Sequence, residues 1–205
     1  RNYKEYYKIY LHIISVITAK KGNYIVFFPS YQFMEEVIDI LYTEGYPSDY
    51  NLMIQDSSMQ EKDKEAFLRS FDQGPVLGCC VLGGVFSEGI DLTGDKLIGT
   101  IMVGTGLPQV SSERNLLKDY YEEAGEDGFA YAYLYPGMNK ILQAAGRVIR
   151  TTEDEGIILL LDDRFLKPYY QKMFPREWTS YQVVNRYNSK KAITDFWTER
   201  NKDEI

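Results

Sequence analysis

The sequence predicts an α/β domain with a doubly wound, mainly parallel sheet and flanking helices. Between residues 24 and 162, short continuous apolar runs alternate with segments of helical periodicity. The apolar runs are too short for helices and lack polar alternation, so we expect strands that are buried on both faces. Hydrophobic residues make up 44% of the 205 residues, which is enough for a substantial core.

The elements are expected in a regular order. Residues 1–22 form an N-terminal helix that leads into the domain, residues 23–175 form the domain, and residues 176–205 form a helical tail. The expected strands cover residues 24–28, 52–55, 76–82, 97–103 and 156–161. Helices are expected between these strands, with a looser connection or insertion at 104–128 that contains a polar helix at 111–123, and a final helix at 189–200.

Composition and charge narrow the functional classes. The formal net charge is −7 and no polybasic run occurs, which argues against a broad nucleic-acid surface, so any phosphate contact must be local. Cys79 and Cys80 are adjacent in an apolar run, as is typical of buried thiols in a reducing cytosol. We expect a cytoplasmic protein without membrane contact, and Arg1 in place of Met indicates a fragment of a longer chain. The single histidine, His12, is expected to be structural or exposed.

The most informative stretch is Gln143-Ala-Ala-Gly-Arg147-Val-Ile-Arg150, at the end of a helix predicted to begin at Pro136. At about 100° per residue, the spacings i, i+4 and i+7 place Gln143, Arg147 and Arg150 on one helix face. The opposite face carries apolar residues: Met138, Leu142, Ala145, Val148 and Ile149. Two guanidinium groups without acidic neighbours between residues 136 and 152 predict an anion site, although a solvated helix face is the plainer interpretation.

Polar side chains follow three of the expected strands: Ser30, the glycine-rich loop 83–91 with Ser87, Glu88 and Asp91, and Asp162. The carboxyl ends of parallel strands meet at one edge of a sheet, so these groups are expected to line a common site. Each also has a structural interpretation, since Ser30 is suited to an N-cap and the loop to an irregular turn.

Two further patterns are weaker indicators of a site. Tyr131, Tyr133 and Tyr135 alternate at strand period, which favours a half-buried strand over a base-stacking surface. The strand that ends at Asp162 superficially resembles a Mg²⁺-binding strand, but the phosphate-binding run Gly-x-x-x-x-Gly-Lys-Ser/Thr is absent from the sequence. The residues therefore indicate an arginine-lined phosphate site whose triphosphate is brought by a partner domain.

Three motifs in order resemble the DinG/XPD-like helicases of superfamily 2, specifically their second RecA-like motor domain. The run from Gln143 to Arg150 is similar to motif VI, Gly84-Val-Phe-Ser87-Glu88-Gly89-Ile-Asp91 to motif V, and Ile25-Val-Phe-Phe-Pro29-Ser30-Tyr31 to motif IV. Leu107-Pro108 and Asp162-Asp-Arg164-Phe are supporting matches. Each motif alone is a weak signal, whereas three in the family's order are a specific one.

The resemblance implies a RecA-like domain of an ATP-dependent DNA helicase. Arg147 and Arg150 would reach the γ-phosphate of ATP held by the first motor domain of the same polypeptide, with Arg150 the arginine finger and Gln143 assisting. Gly89 and Asp91 would line the nucleotide, Ser30, Phe86 and Ser87 would face single-stranded DNA, and Glu88 would belong to the coupling between the two sites.

The chain lacks the P-loop, the Mg²⁺-binding acidic motif and the four cysteines of the family's iron–sulfur domain. ATP and Mg²⁺ would therefore be shared with the first motor domain, and any iron–sulfur cluster would belong to another part of the parent protein. We expect a monomer that is inactive as an isolated fragment. The competing hypothesis is a non-motor RecA-like adaptor that binds protein or nucleic acid, which the acidic charge favours and the retained motif residues disfavour.

Overall fold

The computed structural model describes residues 2–88, 92, 96–149 and 154–203. Its five strands are β1 Tyr24–Phe28, β2 Asn51–Ile54, β3 Val76–Val81, β4 Gly99–Val103 and β5 Ile157–Leu161. Its α-helices are α1 Tyr3–Ala19, α2 Tyr31–Glu44, α3 Glu61–Ser70, α4 Val85–Glu88, α5 Ser112–Glu123, α6 Tyr135–Ala145, α7 Pro168–Gln171 and α8 Ser189–Asp203. A π-helical segment, Ala130–Leu134, precedes α6, and a 3₁₀ helix, Asp163–Leu166, precedes α7.

The five strands form one parallel sheet in the order β2-β3-β1-β4-β5. The first strand in sequence is thus the central one; the chain then forms the edge strand β2, returns to place β3 beside β1, and extends the other side with β4 and β5. The register aligns the strand ends, because Phe28 of β1 lies opposite Val81 of β3, and Val103 of β4 lies opposite Leu161 of β5. The predicted doubly wound α/β class is confirmed.

Helices cover both faces of the sheet. All five residues of β1 are buried, and they alternate between the two layers: Val26 and Phe28 pack with α1, α2 and α8, whereas Ile25 and Phe27 pack with α3, α4 and α6. The terminal helices α1 and α8 share a hydrophobic cluster with α2 and therefore form part of the same layer. Burial from both sides explains why β1, β3 and β4 have no polar alternation, whereas no residue of the edge strand β2 is fully buried.

The strand expected at the alternating tyrosines is wrong. Residues 130–134 form the π-helical segment that leads into α6. The ring of Tyr131 stacks on Tyr121 of α5 at 4.1 Å between centroids and meets Tyr135 edge-on at 5.2 Å. Ala130, Ala132 and Leu134 alternate with the tyrosines and are buried. The alternation that suggested a strand therefore comes from aliphatic residues packed inside a helical segment.

The helix that carries the arginine motif ends earlier than predicted. Its last residue is Ala145, and Gly146 lies at the C-cap. Beyond it the amides of Arg147 and Val148 donate to the carbonyl oxygens of Ala144 and Ala145, an i to i+3 pattern that tightens the chain into a turn. Gln143 therefore lies on the helix and Arg147 on the following turn, so the common helix face predicted for them is wrong. Arg150 lies outside the described residues.

Candidate functional site

Helix α6 connects the two edges of the sheet. At its start Gly137 lies against the backbone of Thr105 and Gly106, which follow the carboxyl end of β4; a Cβ at Gly137 would come within 3.0 Å of the Thr105 carbonyl oxygen. Past its end, Val148 lies against Gly156 and near Ile98, which precede β5 and β4. The turn with Arg147 is therefore at the amino edge, opposite the carboxyl edge where Ser30 and Asp162 lie.

The turn after α6 contacts the short helix α4. Nε of Arg147 donates to the carbonyl oxygen of Ser87 at 3.3 Å. The Ser87 side chain is fully buried, and its hydroxyl donates to the Gly84 carbonyl oxygen at 2.8 Å. The structure thus brings together the predicted motif residues Arg147 and Ser87, while Gln143 is exposed on α6.

Several predicted site residues have no described geometry. Gly89, Asp91 and Arg150 lie outside the described residues, and for Glu88 only the backbone, as the last residue of α4, is described. Their roles at the nucleotide and in coupling stay predictions.

The sequence predicted that Phe86 contacts nucleic acid, which requires an exposed side chain, but Phe86 is buried. Its side chain is 2% exposed, and its ring stacks on Phe67 of α3 at 4.3 Å between centroids. The four-residue helix α4 directs this ring into the core, where it packs in the hydrophobic cluster formed with α3 and α6. The Ser87 hydroxyl is turned inward in the same way, so neither side chain is offered to a ligand in this conformation.

Ser30 lies at the carboxyl edge and is the N-cap of α2, which was the structural interpretation of this residue from the sequence. Its Oγ accepts from the amide of Phe33 at 3.2 Å and caps α2. The side chain is partly exposed, next to exposed Pro29, so capping leaves the residue accessible at the surface.

A polar residue that sequence reasoning missed holds this edge together. Gln55 is 4% exposed; its Nε2 donates to the Tyr31 hydroxyl at 3.0 Å and its Oε1 accepts from the Val81 amide at 2.9 Å. Burial and the nearby Asp56 raise the pKa of Tyr31, so its phenol stays protonated at neutral pH. The signal in the sequence was an amide side chain at the carboxyl end of the short second strand.

The carboxyl edge also contains a cleft of about 860 Å³, lined by the ends of β4 and β5, by α1 and by residues 174–184. Phe174, Trp178 and Tyr181 form an aromatic wall in which neighbouring rings meet at 5.4 and 5.6 Å. Two polar atoms in its lining, Oγ1 of Thr105 and Nδ1 of His12, are buried without a hydrogen-bond partner in the described part of the chain. Burial lowers the pKa of His12, which is therefore neutral at pH 7.

Asp162 and Arg164 form a two-point ion pair at the rim of this cleft. Nε of Arg164 donates to Oδ1 of Asp162 at 2.8 Å, and an Nη donates to Oδ2 at 2.7 Å. Burial raises the pKa of Asp162, but the Arg164 hydrogen bonds and the charges of Arg164 and Lys167 together lower it by more, so the carboxylate stays ionised. Within the described ranges, no group of three or more His, Cys, Asp or Glu side chains is arranged to hold a metal ion.

The chain after Asp163 is basic and aromatic, which the overall negative charge concealed. Residues 164–190 contain six basic residues and one acidic residue, Glu177. The basic residues are Arg164, Lys167, Lys172, Arg176, Arg186 and Lys190. Counting charge by segment rather than over the whole chain would have found this excess of basic residues, of which Arg164 lines the cleft together with the acidic Asp162, Asp163 and Glu177.

Comparison with known proteins identifies the family. A family model described as "Helicase C-terminal domain" matches residues 13–181. The chain belongs to the helicase C-terminal domain family. This helicase domain has a RecA-like fold of the DinG/XPD type, as the motifs predicted.

Curated relatives carry helicase names or the name DinG. A probable ATP-dependent helicase of Methanocaldococcus jannaschii is 24% identical over 166 residues, which covers 75% of this chain and 25% of that protein. The ATP-dependent DNA helicase DinG of Photobacterium profundum is 29% identical over 169 residues, covering 80% of this chain and 24% of that protein. The 3'-5' exonuclease DinG of Staphylococcus saprophyticus is 26% identical, covering 88% and 19%. The chain thus spans between 19% and 25% of the length of these relatives.

Solved structures support the fold. An XPD helicase superposes with a TM-score of 0.65 at 23% identity, over 84% of this chain and 30% of that one. Domain 2 of the DEAD-box helicase Mss116p, solved bound to an RNA duplex, superposes with a TM-score of 0.52 at 14% identity, over 89% and 58%. Of the helices that the structure describes, none combines the length and apolar character needed to cross a membrane.

Proposed function

We propose that this domain is the C-terminal motor domain of an ATP-dependent DNA helicase. In this role it supplies arginines to ATP bound by the first motor domain of the same polypeptide and contacts single-stranded DNA. The observation that carries the proposal is the hydrogen bond between Arg147 and the Ser87 carbonyl, which joins the turn after α6 to motif V. The helicase names of the relatives support it.

The nucleotide side of the domain is the amino edge. A guanidinium group keeps its charge at all physiological pH values and presents paired donors that match phosphate oxygens. Arg147 is held at this edge by the Ser87 carbonyl, and Arg150 follows three residues later. Gln143, Gly89 and Asp91 complete the proposed nucleotide contacts. Asp162 is occupied by Arg164, so we assign Mg²⁺ binding to the first motor domain, together with the ATP phosphates.

The nucleic-acid side is the carboxyl edge. Ser30 lies there, and the segment 164–190, which carries six basic residues, contributes Arg164 and the aromatic wall to the cleft beside it. Basic side chains neutralise backbone phosphates, and aromatic rings such as Trp178 stack on bases without sequence preference. This arrangement suits a single strand better than a duplex, because the rings reach only bases that are not paired and stacked inside a helix.

Coupling between the two sides would pass through α4 and the loop that follows it. Helix α4 starts just beyond the carboxyl end of β3, and its Ser87 carbonyl accepts from the side chain of Arg147, whose turn follows α6. Closure of the two motor domains on ATP would move both contacts together, which is how a nucleotide-driven hinge advances a motor along a strand. Cytoplasmic localisation and a monomeric state stay predictions.

The test uses the full-length parent helicase. Arg150→Ala and Arg147→Ala are each expected to lower the DNA-stimulated kcat at least about tenfold, since arginine fingers contribute about 10³- to 10⁵-fold in related phosphoryl transfers. The affinity for single-stranded DNA should change less than about threefold, because charge is removed away from the strand.

Arg69→Ala is the matched control, since Arg69 is an exposed arginine on α3 paired with Glu65. It should leave kcat unchanged. The isolated 205-residue chain should not hydrolyse ATP at a useful rate. An unchanged kcat in both motif variants would overturn the motor assignment and favour a non-motor adaptor.

A further inference from the structure

Helix α5 presents an apolar stripe to solvent. None of its twelve residues is buried, and its exposed large side chains are Leu116 at 70%, Leu117 at 40% and Tyr120 at 66%. Leu116 and Tyr120 are four residues apart and Leu117 and Tyr120 three, so the three side chains lie on one helix face. We call this set of three residues the α5 stripe.

The stripe is not needed to hold α5 on the domain. The opposite flank of α5 does that: Arg114 donates to the Ala132 carbonyl oxygen at 2.6 Å, and Asn115 accepts from the Tyr133 hydroxyl at 2.8 Å. Tyr121 stacks on Tyr131 at 4.1 Å on the same flank. The helix is thus anchored by polar and aromatic contacts to the π-helical segment, while three large apolar side chains remain in water.

The surroundings of the stripe are acidic. Residues 111–127 contain six acidic residues, Glu113, Asp119, Glu122, Glu123, Glu126 and Asp127, and two basic ones, Arg114 and Lys118. Arg114 points at the π-helical segment, and Lys118 is paired with Glu122 and Asp119. Glu113, Glu123 and Glu126 form no ion pair with any described residue. Glu126 also raises the pKa of Tyr131, which reflects the negative potential at this surface.

The negative charge around the α5 stripe limits which molecules can bind there. A nucleic-acid backbone and a second copy of the same acidic face would both be repelled. A basic segment would be attracted, and the hydrocarbon stems of Lys and Arg would cover the tyrosine and leucine side chains while their charged ends meet the carboxylates. Amphipathic helices dock in this manner, with apolar anchors at helical spacing and complementary charges at the rim.

We propose that the α5 stripe and its acidic rim bind a basic amphipathic helix of another protein. No residue of α5 lines the cleft or belongs to the three motifs. The proposed surface requires neither ATP nor DNA, so the interaction stands or falls independently of the helicase assignment.

The test is a binding titration of the 205-residue chain with a fluorescent synthetic peptide. The peptide has about 18 residues, with Leu and Lys at helical spacing, a length that favours helix formation. A second peptide has the same composition in scrambled order. Fluorescence anisotropy should show binding of the ordered peptide, at least about tenfold tighter than the scrambled one, because only the ordered peptide aligns apolar anchors with the stripe.

Three variants assign the site. The double substitution Leu116→Ser with Tyr120→Ser should weaken binding of the ordered peptide at least about tenfold, and Glu113→Gln with Glu123→Gln at least about threefold, most strongly at low salt. Tyr42→Ser removes an exposed tyrosine on α2, 62% exposed, and should change the affinity less than about twofold. All these side chains are exposed, and circular dichroism verifies that each variant is folded.

Absence of binding by the ordered peptide overturns the proposal. Equal binding of the scrambled peptide also overturns it, because charge alone would then explain the attraction. An unchanged affinity in the Leu116 and Tyr120 variant has the same meaning, since the peptide would be bound elsewhere.

Discussion

Replacing Phe86 with alanine separates a core role from a nucleic-acid role for this motif V residue. The side chain is 2% exposed and stacks on Phe67 at 4.3 Å between ring centroids with an interplanar angle of 25°. Truncation of a buried phenylalanine costs about 3–5 kcal/mol, of which the lost aromatic pair is about 0.5–1.5 kcal/mol. Against a total stability of about 5–15 kcal/mol, Phe86→Ala should remove a large fraction.

Urea unfolding of the isolated chain, followed by circular dichroism, measures this loss. With a slope of about 2–3 kcal/mol per molar urea, the midpoint should fall by about 1–2.5 M at an unchanged slope. Phe129→Ala is the control of the same residue type, because Phe129 is 42% exposed, and it should cost less than about 1 kcal/mol. A loss below about 1 kcal/mol for Phe86→Ala would refute the core assignment and return the ring to the predicted DNA contact.

Three further predictions concern other parts of the fold. Ser30→Asp should keep the free energy of unfolding within about 0.5 kcal/mol, because Asp also caps helices, but weaken single-stranded DNA binding by the parent protein several-fold; an unchanged affinity in an anisotropy titration would remove Ser30 from the DNA side. Gly128→Ala should loosen α5, because the new Cβ would lie 2.1 Å from the Lys118 carbonyl oxygen, and hydrogen exchange should then be faster in α5 with the sheet unaffected; full protection of α5 contradicts this. Burial lowers the pKa of His12, so below about pH 6.5 the unfolded chain binds a proton that the folded chain does not, and stability should fall as the pH drops from about 7 to 5.5. His12→Gln should flatten this dependence, and equal slopes in urea midpoints would show that His12 is not its source.

The sheet was predictable because its three central strands are buried on both sides. A strand such as β1, with five buried residues, has no polar position, and an apolar run too short for a helix forms a buried strand more readily than any alternative element. The motif residues were found in another way, by the spacing of Gln143, Arg147 and Arg150 and by the resemblance of three ordered runs to the motifs of a known family.

The features that were missed depend on tertiary contacts or on signals with two meanings. Gly146 marked the end of α6, but the predicted helix was continued past it to Arg150. The direction of the Phe86 side chain depends on where α4 packs, and a helix of four residues is too short to show a hydrophobic face in the sequence. The cleft is assembled from His12 and Trp178, residues far apart in sequence, and no local pattern joins them.

The two neighbouring thiols of β3 face opposite helical layers. Cys79 packs with α1, α2 and α8, and Cys80 packs with α3, α4 and α6. Burial raises the pKa of the Cys79 thiol to about 12 and that of Cys80 well above its usual value, so neither forms a reactive thiolate while its layer is closed. The alkylation rate at either sulfur thus reports how fast the helical layer over it detaches. Comparing the rates at the two adjacent cysteines by mass spectrometry tells which side of the sheet opens first.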